Sequence, residues 1–220
     1  MKNKWLDLVV LSDNHTYFDF LEVPAGDILI HCGDFSYRGN SDEVYAFIDW
    51  IKKQPHKHKL WIPGNHELSL EDFPYNIETV DAESGAVCIH NKEHIIDGIK
   101  FFGSAYTPKY GTWAFMNTEE QAKRYWENAP LDVDVLVTHG PPKGVLDMTI
   151  SGDHAGSQAL FDYVKKVNPH YHFFGHIHEA YGVDIYTSCK TVFINACILD
   201  EKYKPLHQPI KLPIQAVSKN

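Results

Sequence analysis

No apolar stretch in the 220-residue chain approaches the roughly 18 residues needed to span a bilayer, so no membrane helix is expected. Cysteine is scarce as well. Cys32, Cys88, Cys189 and Cys197 are widely spaced and form no C-x-x-C pair, which argues against a disulfide framework and a structural zinc site. Reduced, buried thiols in a cytoplasmic protein are the plain reading. Positive charge is in short supply: 20 Lys and Arg against 29 Asp and Glu leave a formal net charge of −9. That balance disfavours an extended nucleic-acid surface. It leaves a small anionic substrate open, because bound cations can reverse the local field. With no polar linker, repeat or low-complexity tract, residues 1–220 are expected to form one domain, with an extended, proline-punctuated tail from about residue 205. The opening MKNKWLDLVVLSD has lysines and aliphatics, but Asp7 interrupts its apolar run and no small-residue cleavage site follows. It is expected to be a first strand rather than a signal peptide.

What the chain does have is histidine, 14 in all, many of them at the ends of apolar runs. Five such runs, 6–13, 27–34, 59–65, 134–140 and 171–176, read as short buried strands closed by polar or glycine residues. Between them, segments beginning at Ser41, Thr118 and Gly156 have helix-start residues, amphipathic patterning and a proline stop. Asp97-Gly98 between two apolar runs signals a hairpin, and AYGVDIYTSCKTVFINA reads as two strands around a tight turn. A chain mixing crossover units with hairpins is best satisfied by an α/β fold of two packed mixed β-sheets flanked by helices, an α/β/β/α sandwich.

Each of the five strands ends in residues that make good metal ligands: Asp13 and His15, Asp34, Asn65 with His66, His139, and His176 with His178. Ligands in open α/β sheets gather beyond the carboxyl ends of the strands, so five distant strand ends can surround one point. All the donors are hard or borderline O and N groups, suiting Mn²⁺, Fe, Zn²⁺ or Ni²⁺. In an extended segment Asp13 and His15 point the same way and can grip one ion. Glycines before Asp34, Asn65 and His176 allow sharp turns and close approach.

SDNH, GD, GNHE, THGPP and GHIHE, taken together and in that order, resemble the signature blocks of the calcineurin-like metallophosphoesterase superfamily. LIHCGDFS, WIPGNHE, FFGSAYTP, GTWAFM, HFFGHIHEAYG and FINA are similar to its brain-type metallophosphoesterase-domain subgroup, which is class III cyclic nucleotide phosphodiesterase-like. The resemblance implies two divalent ions, Mn²⁺ foremost. Asp13, His15 and His178 would hold one, Asn65, His139 and His176 the other, and Asp34 would bridge them. It further implies a phosphodiesterase acting on small diesters, plausibly cyclic nucleotides, through a metal-bridging hydroxide. Asn65 would stabilise charge on phosphate oxygens and His66 would serve the leaving group. The alternatives are a phosphomonoesterase or protein phosphatase, and a non-catalytic metal-binding module. GDFSYRG partly resembles the GDxxDRG block of protein phosphatases: Arg38 matches a phosphate-binding arginine, while Tyr37 replaces the aspartate that orients the histidine. Tyr106, Trp113 and Phe115 are candidate rings for stacking on a substrate. Glu179 is expected to orient a neighbouring histidine or loop.

Overall fold

The computed structural model describes residues 4–73, 75–186 and 189–216. The first sheet is built from β1 (Trp5–Leu11), β2 (Ile28–His31), β3 (His58–Trp61) and β4 (Val87–Cys88). These four run parallel in the order β1-β2-β3-β4. The second sheet contains the hairpin β5 (Glu93–Ile96) and β6 (Ile99–Ser104), whose antiparallel pairing across Asp97-Gly98 follows the turn signal. The two-residue strands β7 (Thr107–Pro108) and β8 (Met116–Asn117) form a separate minimal pair. β9 (Val135–Thr138), β10 (Tyr171–Phe174), β11 (Gly182–Ile185) and β12 (Val192–Asn195) complete the second sheet, ordered β11-β12-β10-β9-β6-β5. β11 and β12 pair antiparallel as expected, but their connection passes through residues 187 and 188, outside the described residues.

The strands are apolar on both faces because both faces are covered. On β1, Leu8 and Val10 point between the sheets to meet Phe101, Val135, Val137 and Phe173, while Val9 and Leu11 point outward. The outward face of the first sheet packs against α1 (Ser41–Lys53), α2 (Leu68–Asp72) and α3 (Tyr75–Ser84) through Phe47, Ile51, Leu70 and Val80. The second sheet packs Phe102, Leu136, Phe174 and Phe193 against Trp126 of α4 (Glu119–Glu127) and Leu160 and Val164 of α5 (Gln158–Val167). This is the two-sheet sandwich anticipated from the mixture of crossovers and hairpins. Helices α2 and α3 carried no clear start signal in sequence; α3 in particular lacks an amphipathic stripe. α1 begins at Ser41 as expected, capped by Asn40, whose side chain accepts from Glu43 N in a reciprocal capping box.

Residues 206–216 are extended but docked. Their strand β13 (Ile210–Gln215) pairs antiparallel with β1, Leu212 opposite Leu8, and extends the first sheet by one edge strand. Pro213, which lacks an N–H to donate, is tolerated on such an edge. Among the described residues, no helix is long and apolar enough to cross a membrane.

Candidate metal centre

The carboxyl ends of β1, β2, β3, β9 and β10 meet where the two sheets are stitched together. Ser12 N donates to Ala196 O, Asp13 N to Gly33 O, and Gly175 N to His139 O, each within 2.9 to 3.0 Å. Asp13, His15, Asp34, Asn65, His66, His139 and His178 are buried here, and His176 is half-buried. Donor atoms converge in three interlocking sets: Asp13, His15 and His178; His15, Asp34 and His66; and Asp34, His139 and His176. Within each set the atoms lie within 4.8 Å of one another. His15 joins the first set to the second, and Asp34 joins the second to the third.

The route by which Asp13 and His15 converge differs from the expected one. The segment is not extended: Asp13 has φ 56° and His15 φ 39°, both left-handed, and Asp34 and His176 have φ 56° and 69°. Four non-glycine residues in a sparsely populated region, all in one cluster, mark a backbone held by its surroundings. The glycines serve close approach instead. A Cβ on Gly64 would fall on Asp34 Oδ1, and one on Gly175 would fall on Asp13 Oδ2 and Ser12 Oγ.

Backbone carbonyls aim the histidines. His15 Nδ1 donates to Ser36 O at 2.7 Å, His66 Nδ1 to Tyr37 O at 2.8 Å, His139 Nδ1 to Cys32 O at 2.9 Å and His178 Nδ1 to Asp200 O at 3.0 Å. Each bond turns the opposite ring atom, Nε2, toward the carboxylates. His139 Nε2 lies 3.2 Å from Asp34 Oδ2, His178 Nε2 3.4 Å from Asp13 Oδ1, and His15 Nε2 and His66 Nε2 3.9 and 3.8 Å from Asp34 Oδ2. His139 Nε2 also faces Asn65 Oδ1 at 2.9 Å.

Burial works against ionising Asp13, but the close imidazoles of His178, His139 and His15 outweigh it and hold the carboxyl well below its usual range. Asp34 is likewise lowered, burial being overcome by the charge and hydrogen bond of His139. His139 is raised to about 10 against the effect of burial, because Asp34 stabilises its proton. Burial lowers His15 to about 4 and His176 to about 3, leaving them neutral with lone pairs free. Ionised carboxylates beside the neutral His15 and His176 suit a divalent cation, whose binding at His139 would displace the proton held there. The polar accounting fits as well. Asp13 Oδ1, His15 Nε2 and Asn65 Nδ2 are buried without any hydrogen-bond partner, a costly arrangement unless a ligand completes it.

A family model described as calcineurin-like phosphoesterase matches residues 7–180, most of the chain. The chain belongs to that family. A UPF0046 protein of Caenorhabditis elegans is 37% identical over 204 residues, covering 87% of this chain and 69% of that protein. Metallophosphoesterase domain-containing protein 1 of Homo sapiens is 34% identical over 230 residues, covering 94% of this chain and 70% of that protein. The solved structure of TT1561 from Thermus thermophilus shares the fold, with a TM-score of 0.62 at 13% identity over 87% of this chain and 89% of that one. The protein is thus a calcineurin-like metallophosphoesterase, an enzyme acting on phosphate esters in a family that is dimetal-dependent, and its Asp/His clusters are of a kind that could hold metal.

In this phosphoesterase the remaining sequence candidates separate. Trp113 comes to the centre, its ring stacked on His66 at 4.2 Å, and the Arg38 guanidinium lies over the Trp113 ring at 5.0 Å. Tyr106 does not come to it. Its ring packs edge-on against His90 and Tyr125, and Phe115 is buried against His90. Phe115 belongs to the core on the outward face of the first sheet and Tyr106 packs against that core, so apolar burial decides their place rather than a ligand. Glu179 ties down a loop: its Oε1 accepts from Ile150 N at 2.5 Å. The Tyr37 backbone carbonyl, rather than its side chain, receives the His66 Nδ1–H.

Glu67 was not singled out by the sequence reading and is central to the architecture. Fully buried, it accepts from Asp34 N (2.9 Å), Gly64 N (2.6 Å), Ser36 N (3.1 Å) and Ser36 Oγ (2.6 Å), joining the β2 and β3 loops. Burial and the Asp34 charge push it up to about 8. An acid three residues after a glycine, bonding back to that glycine's N–H, was the available signal. Tyr203 and Tyr110, also beside the centre, had no such signal.

Proposed function

We propose that this phosphoesterase is a binuclear phosphodiesterase for small diesters, cyclic nucleotides among them. The observation that supports it is the sharing of Asp34 between donor sets that otherwise use different residues. In this reading Asp13, His15 and His178 hold one ion, Asn65, His139 and His176 the other, and Asp34 both. When bound, two divalent ions, Mn²⁺ by preference, supply Lewis-acid activation of water and of phosphate oxygens.

The chain's own groups do the rest. The carbonyl contacts to Nδ1 fix the His15, His66, His139 and His178 imidazoles before substrate arrives, so little reorganisation is left for the reaction. Hydrolysis adds the elements of water across one P–O bond: the hydroxyl goes to phosphorus and a proton to the departing oxygen. His66 is placed to hold that proton on Nε2, because its Nδ1–H is committed to Tyr37 O and Trp113 fixes its plane. The Asn65 amide, with Nδ2 unpaired, is available to a non-bridging phosphate oxygen. Among the described residues no Lys or Arg pairs with Asp13 or Asp34, and the Arg38 side chain is engaged on Trp113. A centre with so little added positive charge suits a singly charged diester better than a dianionic monoester.

The test is hydrolysis of bis(p-nitrophenyl) phosphate and p-nitrophenyl phosphate by metal-stripped protein refilled with Mn²⁺, beside Asp34→Asn. Mn²⁺-dependent turnover of the diester, lost in the variant, supports the reading. Faster turnover of the monoester overturns the diester preference. No turnover of either by metal-loaded protein overturns the catalytic assignment.

A further inference from the structure

Tyr203 has no part in the chemistry just described, yet it stands over the centre. Its ring centroid lies 5.0 Å from His15, 4.8 Å from His178 and 6.4 Å from His66. It reaches this place from the far end of the chain, after β12, on a tight turn. Asp200 N donates to Lys204 O and Tyr203 N to Asp200 O, both at 2.9 Å, while Asp200 Oδ1 accepts from the backbone N–H groups of Lys202 and Lys204. Tyr203 itself has φ 57°, a conformation a bulky side chain rarely adopts. The same turn is hooked to the centre, because Asp200 O receives the Nδ1–H of His178. The chain thus holds a strained tyrosine in register with a histidine of the centre.

One face of that ring covers His15 and His178, and the residue remains 40% exposed. Tyr37 stands beside it at 6.4 Å with its plane only 29° away. Open aromatic faces beside a phosphate-binding point are what flat rings stack on.

We propose that Tyr203 stacks on a flat ring carried by the substrate, so that the centre selects phosphate esters bearing an aromatic group over purely aliphatic ones. The inference rests on the reading of this centre as a metal-loaded phosphoester site, and deepens it by naming the substrate class.

Binding of phenylphosphonate and methylphosphonate tests it without turnover, since neither C–P bond is hydrolysed. Calorimetric titration of the Mn²⁺-loaded protein is expected to show phenylphosphonate binding about 5- to 150-fold tighter, the range of a single base–aromatic stack. Tyr203→Phe keeps that ratio, whereas Tyr203→Leu, of similar apolar bulk but without a flat face, brings it toward one. A parent that binds both ligands equally overturns the inference and leaves the centre standing. A Tyr203→Leu variant that loses affinity for both in equal proportion also overturns it, because the tyrosine would then only brace His178. A parent that binds neither overturns the metal-centre reading, and this inference falls with it.

Discussion

Replacing Asp34 by Asn should remove nearly all of the stabilisation that metal confers, not half of it. The substitution is isosteric, and the amide oxygen can still accept from His66 N, as Asp34 Oδ1 does now at 2.9 Å. What changes is the charge on the one carboxylate shared between two of the donor sets. A ligand that binds only the folded state at one hundred times its dissociation constant adds about 2.7 kcal/mol. Two ions add about twice that. For 220 residues the unfolding entropy is about 460 cal/mol/K, so each ion should raise Tm by about 6 °C and the pair by about 12 °C. The assay is thermal unfolding of stripped protein titrated with Mn²⁺. Asp13→Asn and His139→Asn, each confined to one set, are expected to retain about 6 °C of the shift, and Asp34→Asn close to none. If Asp34→Asn keeps the same half-shift as the single-set variants, Asp34 is not shared and the binuclear argument fails.

Two further predictions concern the frame around the centre. Glu67→Gln must set its amide NH₂ against at least one of the backbone N–H groups of Ser36, Asp34 and Gly64, leaving a buried donor unpaired. Urea unfolding should show a loss of about 2 kcal/mol, and an unchanged midpoint would refute the role given to Glu67. His172 is buried, donates from Nε2 to Thr138 Oγ1 at 2.8 Å, and is lowered by burial to about 3 from 6.5. It stays neutral in the folded state while the unfolded chain gains a proton below pH 6.5. Its contribution is therefore fully present above 6.5 and is lost as pH falls toward 3, by about 1.4 kcal/mol per pH unit. His172→Gln should flatten the stability–pH slope by one proton, and an identical slope would show that the folded state protonates this histidine.

The sequence alone determined the five buried strands and, with them, the set of residues that meets at their ends. Strand patterning is local: an apolar run closed by Asp, Asn or His reads the same wherever the chain carries it, and sheet geometry then brings such ends together. It also determined the family, through blocks that each contain their own glycine and ligand. The backbone route was not legible. Asp13 and His15 converge through left-handed turns imposed by packing against the β2 loop and the 175–176 peptide, not through extended alternation. Nor was the sorting of the aromatic rings. Tyr106 and Trp113 lie seven residues apart in one glycine-flanked loop, yet only Trp113 reaches the centre, because the cavity beside His90 takes Tyr106. Glu67 and Tyr203 were decided by tertiary structure for the same reason. One gathers N–H groups from loops about thirty residues apart in sequence, and the other is carried back over the first strand's histidine from position 203. Contacts of that kind depend on where the folded chain returns, and no spacing in the sequence records it.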